Sequence, residues 1–327
     1  MNQLMTVQGA TELIRAGHAL SIAGPEAALD RLPPGAWIGG TIPYFMLKEG
    51  GAVVQDDRVF VTDLSPLGSV TIASYGADEL AGIAGNAPEN GFAVTIMPAG
   101  GACHREFADK AASYEGAFLK PTVGWISGVH LQDIGRVTPK VYDGRIAARH
   151  EDRAVVAYVT LPAEKMALVE IVNLFEPDQA DRLEFTSTGF EVKDCQVNGE
   201  TVNFADYVRQ RGLEHGKLPL VGDFAGARVN VSLQSVGPAG GAVQLYAPVF
   251  PGVEYRFAQP VADYAGEFRQ RIAALDGQGT VMSCNCILNF VFGELEGKAI
   301  GGVAGPVTFG EIAYQLLNQT MVVVKVV

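Results

Sequence analysis

Long runs of one kind are missing from this chain. No Lys/Arg cluster appears in its 327 residues, and acidic side chains outnumber basic ones 36 to 24, for a formal net charge of −12. Phosphate binding starts from a basic footprint, so the composition argues against nucleic acid as a partner and equally against an anionic membrane surface. No stretch approaches the roughly 20 apolar residues of a membrane span. The opening Met1-Asn2-Gln3-Leu4-Met5-Thr6 lacks the basic and apolar regions of a secretory signal, so the expected location is the cytoplasm. Cysteine is scarce: four residues form no secreted disulfide framework and are expected as free thiols. No H-E-x-x-H, G-x-S-x-G or clustered-carboxylate motif appears, which leaves a standard zinc or serine hydrolase without support.

What is present suits a globular fold. Hydrophobic residues make up 48% and charged residues 18%. The length exceeds what a single core usually serves, which favours two packed halves. Strand-like and helix-like runs alternate, giving an α/β reading with mixed α+β as its variant: mixed sheets flanked by helices. Val7 to Gly17 reads as a helix with Thr11 near its start, Glu26 to Leu32 as a second, and Cys103 to Tyr114 as a third. Strands are expected at Ala19 to Ile22, Trp37 to Gly40, Val59 to Leu64, Phe92 to Met97, Thr122 to Ile126, Lys140 to Tyr142 and Val155 to Leu161. Near Pro162 to Asp181 the pattern changes, dividing the chain into 1–165 and 166–327. Beyond it, Leu168 to Phe175 reads as a strand. The pair Asn198-Gly199 between alternating runs is the strongest short hairpin signal, and a helix follows over Phe204 to Gln210. Arg228 to Leu233, Ala242 to Tyr246 and Glu254 to Phe257 read as strands, Tyr264 to Leu275 as a helix and Val281 to Phe292 as a β-rich run. A closing strand over Thr320 to Val327 should lie paired inside a sheet.

Several residues carry chemistry. Ser283-Cys284-Asn285-Cys286 lies on a strand, which puts both thiols on one face. Such a face could hold a soft metal, haem iron or a redox event, although buried cysteine is the commoner outcome. Thr308-Phe309-Gly310-Glu311 precedes a helix expected near Ile312, where Thr308 would cap and Glu311 would meet the positive end of the macrodipole. Met97 to His104 reads as strand, glycine turn and helix start, offering free N–H groups to an anion. Cys103 at that helix start is a candidate low-pKa nucleophile with His104 as base, weakened because adjacent residues diverge. His130, after the turn at Gly128, is a candidate haem or metal ligand against the plainer reading of an exposed or capping histidine.

Three stretches of the second half share order and spacing with one known family. They are Val192 to Tyr207 with its hairpin and helix, the pair Ser283-Cys284 after Met282, and Gly305-Pro306-Val307-Thr308-Phe309-Gly310-Glu311-Ile312. Together they resemble the C-terminal part of the FIST sensory-domain family. Trp37-Ile38-Gly39-Gly40-Thr41 and Gly50 to Leu64 resemble its N-terminal part more faintly. A polar loop with a Gly-Glu pair usual in that family is replaced here by Thr41-Ile42-Pro43-Tyr44-Phe45-Met46. The resemblance implies a non-enzymatic module that binds a small molecule, with haem in one branch. With no room here for an output domain, it implies signalling to a protein partner in trans. The expected ligand contacts between the halves are Thr41, Tyr44, Trp125, His130, Cys284, Asn285, Cys286, Thr308 and Glu311. No catalytic set is assigned. Alternatives are a haem or metal sensor, a Cys-dependent enzyme at Cys103 or Cys284, and an interaction protein, with a homo-oligomer compatible with any of them.

Overall fold

Alternating apolar runs require partner strands, and the computed structural model shows where each finds one. It describes residues 2–224, 226–275 and 278–327, so Met1 of the opening segment lies outside the described residues. The fold is mixed α+β and rich in strands, with a few helices on mixed sheets. Among the described residues no helix is long and apolar enough to cross a membrane.

One six-stranded sheet is built by the first half alone. Its order is Asn2–Thr6, Arg58–Asp63, Leu20–Gly24, Trp37–Thr41, Val141–Asp143 and Ala148–His150. Two further six-stranded sheets draw on both sides of residue 165. In the first, Thr122–Ser127, Gly91–Pro98, Ala154–Thr160 and Ser69–Tyr75 are extended at the Thr122–Ser127 side by Glu311–Ala313 and then Gln315–Leu317. In the second, Ala167–Asn173, Thr320–Val326, Thr280–Cys286 and Gly305–Thr308 are extended by Tyr44–Leu47 and Gly50–Val53. Each half therefore lends a hairpin to the other's sheet. A core cluster shared by both halves results, in which Ile38, Phe45 and Trp125 pack with Cys284, Met321 and Val323. Burial of such side chains supplies most of the driving force for folding. The change of pattern read near residue 165 lies in the connection between Ala154–Thr160 and Ala167–Asn173.

Many sequence expectations agree with these elements. The hairpin Asp194–Val197 to Glu200–Asn203 turns on Asn198 (φ 53°) and Gly199 (φ 91°), the two positive φ values of a type I′ turn. The helix Phe204–Gln210 follows with Asn203 as its cap. The strand Thr320–Val326 lies inside its sheet between Ala167–Asn173 and Thr280–Cys286.

Three expectations are corrected. The first helix runs Val7–Arg15 and is capped by Thr6, whose Oγ1 accepts the Gly9 N–H, so Thr11 lies within it. The run Val281 to Phe292 changes state at Cys286. Thr280–Cys286 is a strand, but Ile287–Phe292 is a short helix whose Ile287, Leu288, Asn289 and Phe290 are all buried; surrounding packing overrides its β-prone composition. No helix begins near Ile312: Glu311–Ala313 pairs with Thr122–Ser127 and turns at Tyr314 (φ 64°) into Gln315–Leu317. Thr308 is therefore no helix cap, and Glu311 meets no macrodipole. The strand Ser69–Tyr75, at a sheet edge, is an addition to the expected set.

Candidate functional site

Six of the nine expected ligand contacts come together where the borrowed strands cross. Glu311 sits opposite Trp125 across the strand pair, and the Cys284 thiol reaches Gly124 O at 3.2 Å. Thr308 Oγ1 donates toward Gly310 O at 3.1 Å and lies 3.3 Å from Asn285 O. Trp125, Cys284, Asn285, Cys286, Thr308 and Glu311 are none of them more than 2% exposed. They form a packed polar centre inside the protein. Thr41 adjoins it through its carbonyl, which accepts Gly128 N–H at 2.8 Å, while its Oγ1 accepts Lys140 N–H at 2.9 Å.

Glu311 is the unusual member. Its Oε2 accepts from Thr320 Oγ1 at 2.8 Å and from Thr320 N–H at 3.3 Å, Thr308 Oγ1 lies 3.5 Å from Oε1, and the Cys286 thiol bonds the same carboxyl. Burial penalises its charge and raises its pKa to about 8, only partly opposed by the Thr320 bonds. Sequence reasoning misses the residues that complete this centre. Asn289 Nδ2 donates to Asn285 Oδ1 at 2.8 Å and to Thr320 O at 3.0 Å, and the Tyr264 hydroxyl donates to Asn289 Oδ1. Polar residues embedded in apolar runs, Asn289 and Asn318-Gln319-Thr320, are the signal that could have found them.

Tyr44 and His130 lie elsewhere. Their rings stack at 5.6 Å on the wall of a depression of about 770 Å³ shared with Phe290, Glu294 and Lys298. Tyr44 Oη accepts Leu131 N–H at 3.0 Å, and burial raises its pKa. His130 Nδ1 accepts Gln132 N–H at 3.3 Å, which makes it a capping histidine. Among the described residues no group of three or more His, Cys, Asp or Glu is arranged to hold a metal ion.

The helix start at Cys103 does not activate its thiol. Cys103 N–H donates to Asp152 Oδ1 at 2.8 Å, so a protein carboxylate already occupies this helix end. Burial first and the Asp152 charge second push the thiol up to about 11. His104 turns away, its Nδ1 accepting Gly100 N–H at 3.1 Å. Cys195 is raised to about 12 by burial and Asp194, while burial and Glu311 hold Cys284 and Cys286 well above the ordinary thiol range. All four cysteines are free and buried. Thiolate is the reactive form, so the native protein should react with Ellman's reagent at pH 7 about 100-fold or more slower than free cysteine, with four equivalents titrating after denaturation. One fast equivalent in the native state would restore a nucleophilic cysteine.

A second opening between the halves is a cleft of about 720 Å³. One wall comes from Gly100, His104, Arg105, Ile134 and Val137, the other from Phe190, Gln244 and Tyr246, with Phe309 from the stretch beside Thr308 also in its lining. None of the nine expected contacts lines it, although Val129 and Phe309 belong to the segments that carried them. Phe190 sits at a β-bulge between Gly189 and Glu191, a device that re-aims a side chain.

Comparison with known proteins adds a family but no activity. No curated protein matches the chain. A family model described as a family of unknown function, DUF6976, matches residues 5–327. With nearly its whole length matched, the chain belongs to this family, DUF6976.

Proposed function

We propose that this protein is a soluble cytoplasmic binding protein that holds a small molecule in the cleft between its two halves and passes the binding state to a protein partner. The observation that carries the reading is the cleft itself. Its volume of about 720 Å³ lies in the range of small-molecule sites. Its walls combine apolar groups with a few polar ones, the usual composition of such sites. Ile134 and Val137 leave 54% and 41% of their surface exposed in its lining, apolar area that an occupant would cover. The FIST-like order of motifs in the second half supports the same reading and is the sole support for signalling. The polar centre at Glu311 then serves to hold the crossing strands that set the cleft walls.

Val137→Trp, at an exposed position in the lining, tests this by filling part of the cleft. In a thermal-shift screen of small metabolites, compounds that bind should raise the melting temperature of the parent. Saturation at 100 times Kd adds about 2.7 kcal/mol. The expected result is that Val137→Trp keeps the unliganded melting temperature and loses the shift. Shifts that persist unchanged in the variant would move the site elsewhere, and a screen without any hit would count against a binding role.

A further inference from the structure

We infer that the cleft accepts a small apolar acid, with His104 and Arg105 taking its acidic oxygens and the exposed aliphatic wall taking its body. The inference deepens the cleft-binding reading and rests on it.

Three observations converge. Because His104 Nδ1 accepts the Gly100 N–H, the ring proton of the neutral imidazole belongs on Nε2. Burial depresses the His104 pKa to about 4, so the ring is neutral at ordinary pH and Nε2–H is a donor. His104 is only 8% exposed, and its Nε2 has no hydrogen-bond partner. Buried polar groups in native proteins are nearly always paired, so an unpaired donor in the wall of a cleft points to an acceptor supplied from outside. Phe190, its ring centroid 6.2 Å from that of His104 and inclined by 61°, lies against the imidazole in the same lining.

Arg105 is the second observation. It lines the same cleft, is exposed, and its guanidinium has no ion pair or hydrogen bond among the described residues. The acidic neighbour in the lining, Glu191, is engaged by Gln244. A guanidinium is suited to a carboxylate because its planar donors match the two oxygens. The helix end beside these residues is not part of the site, since Asp152 already caps it. The third observation is the apolar remainder of the lining, where Ile134 and Val137 stand exposed near Leu245 and Phe309. A sugar or a bare inorganic anion would leave that wall uncovered.

Octanoate, octanol and acetate separate the contributions. In titration calorimetry octanoate should bind at least ~10-fold tighter than octanol, and acetate more weakly than octanoate, because charge and chain are both needed. Arg105→Gln, a change at an exposed side chain, should weaken octanoate ~10-fold or more and leave octanol unchanged. In ¹⁵N NMR the His104 side-chain resonance should move with octanoate and not with octanol, a readout that needs no substitution of the buried ring. Equal binding of octanoate and octanol, or octanoate binding indifferent to Arg105→Gln, would overturn the acid assignment while the cleft stands, provided Val137→Trp blocks both probes. Binding of both probes that Val137→Trp leaves intact overturns the acid assignment and the cleft together. If neither probe binds, the acid assignment fails and the metabolite screen alone judges the cleft.

Discussion

Glu311→Gln should abolish most of the loss of stability that the parent protein undergoes between about pH 4.5 and pH 8. Burial raises the folded-state pKa from the ordinary 4.5 to about 8, so within that window the folded chain keeps a proton that the unfolded chain releases. Stability falls with pH wherever the native state binds more protons. The contribution is therefore complete below about 4.5 and drains away as pH rises through the folded value. One retained proton costs about 1.36 kcal/mol for every step of one in pH, which puts the total loss across the window on the order of 4 kcal/mol. Glutamine keeps the shape and an acceptor for the two Thr320 donors but has no proton to lose. Urea unfolding of both proteins at pH 5, 6, 7 and 8 measures the difference. If the two unfolding free energies change in parallel across the series, Glu311 is ionised in the native state and this account of the centre is wrong.

Trp125→Ala should cost about 3–5 kcal/mol, the usual range for emptying a buried indole site. Trp125 is 2% exposed, and its ring passes so close to Gly40 that a Cβ there would lie 2.7 Å from it. The indole thus joins the strand Trp37–Thr41 to the strand Thr122–Ser127 of another sheet, and the latter carries the borrowed Glu311–Ala313 on one edge. A cavity at this point cannot collapse without moving sheet backbone, which places the expected loss in the upper part of the range. Trp37 remains as the fluorescent reporter, since the chain has two tryptophans. A loss below about 1 kcal/mol would mean that neighbouring side chains refill the space and that the two sheets are not fastened here.

Local signals are legible wherever the residue itself imposes the structure. Asn198-Gly199 is permissive for positive φ, so the hairpin is visible in two letters. Strand alternation puts the thiols of Cys284 and Cys286 on one face, and both lie beside Glu311. Misreadings arise where a distant partner decides. Ile287–Phe292 is composed like a strand yet packs as a short buried helix, and Thr308-Phe309-Gly310-Glu311 looks like a glycine-rich connection before a helix until Thr122–Ser127 is present to pair with Glu311–Ala313. The site divides in the same way. Thr308 and Glu311 stand out in the sequence for helix-end chemistry, yet their surroundings include a strand more than a hundred residues earlier. His104 stands out only as a base for Cys103; its unpaired Nε2 depends on where Gly100 and Phe190 fall, which spacing along the chain does not encode.

The exchange of hairpins also orders events in time. As the chain leaves the ribosome, Thr122–Ser127 emerges with one edge bare, and the strands that cover it, Glu311–Ala313 and Gln315–Leu317, are synthesised long afterwards. Tyr44–Leu47 waits in the same way for Gly305–Thr308. Pairings of such sequence separation fold slowly, and an uncovered strand edge invites neighbouring chains. The nascent protein therefore passes through a prolonged interval in which its first half is complete in sequence and incomplete in structure, and a chaperone that shields β-edges would act during that interval.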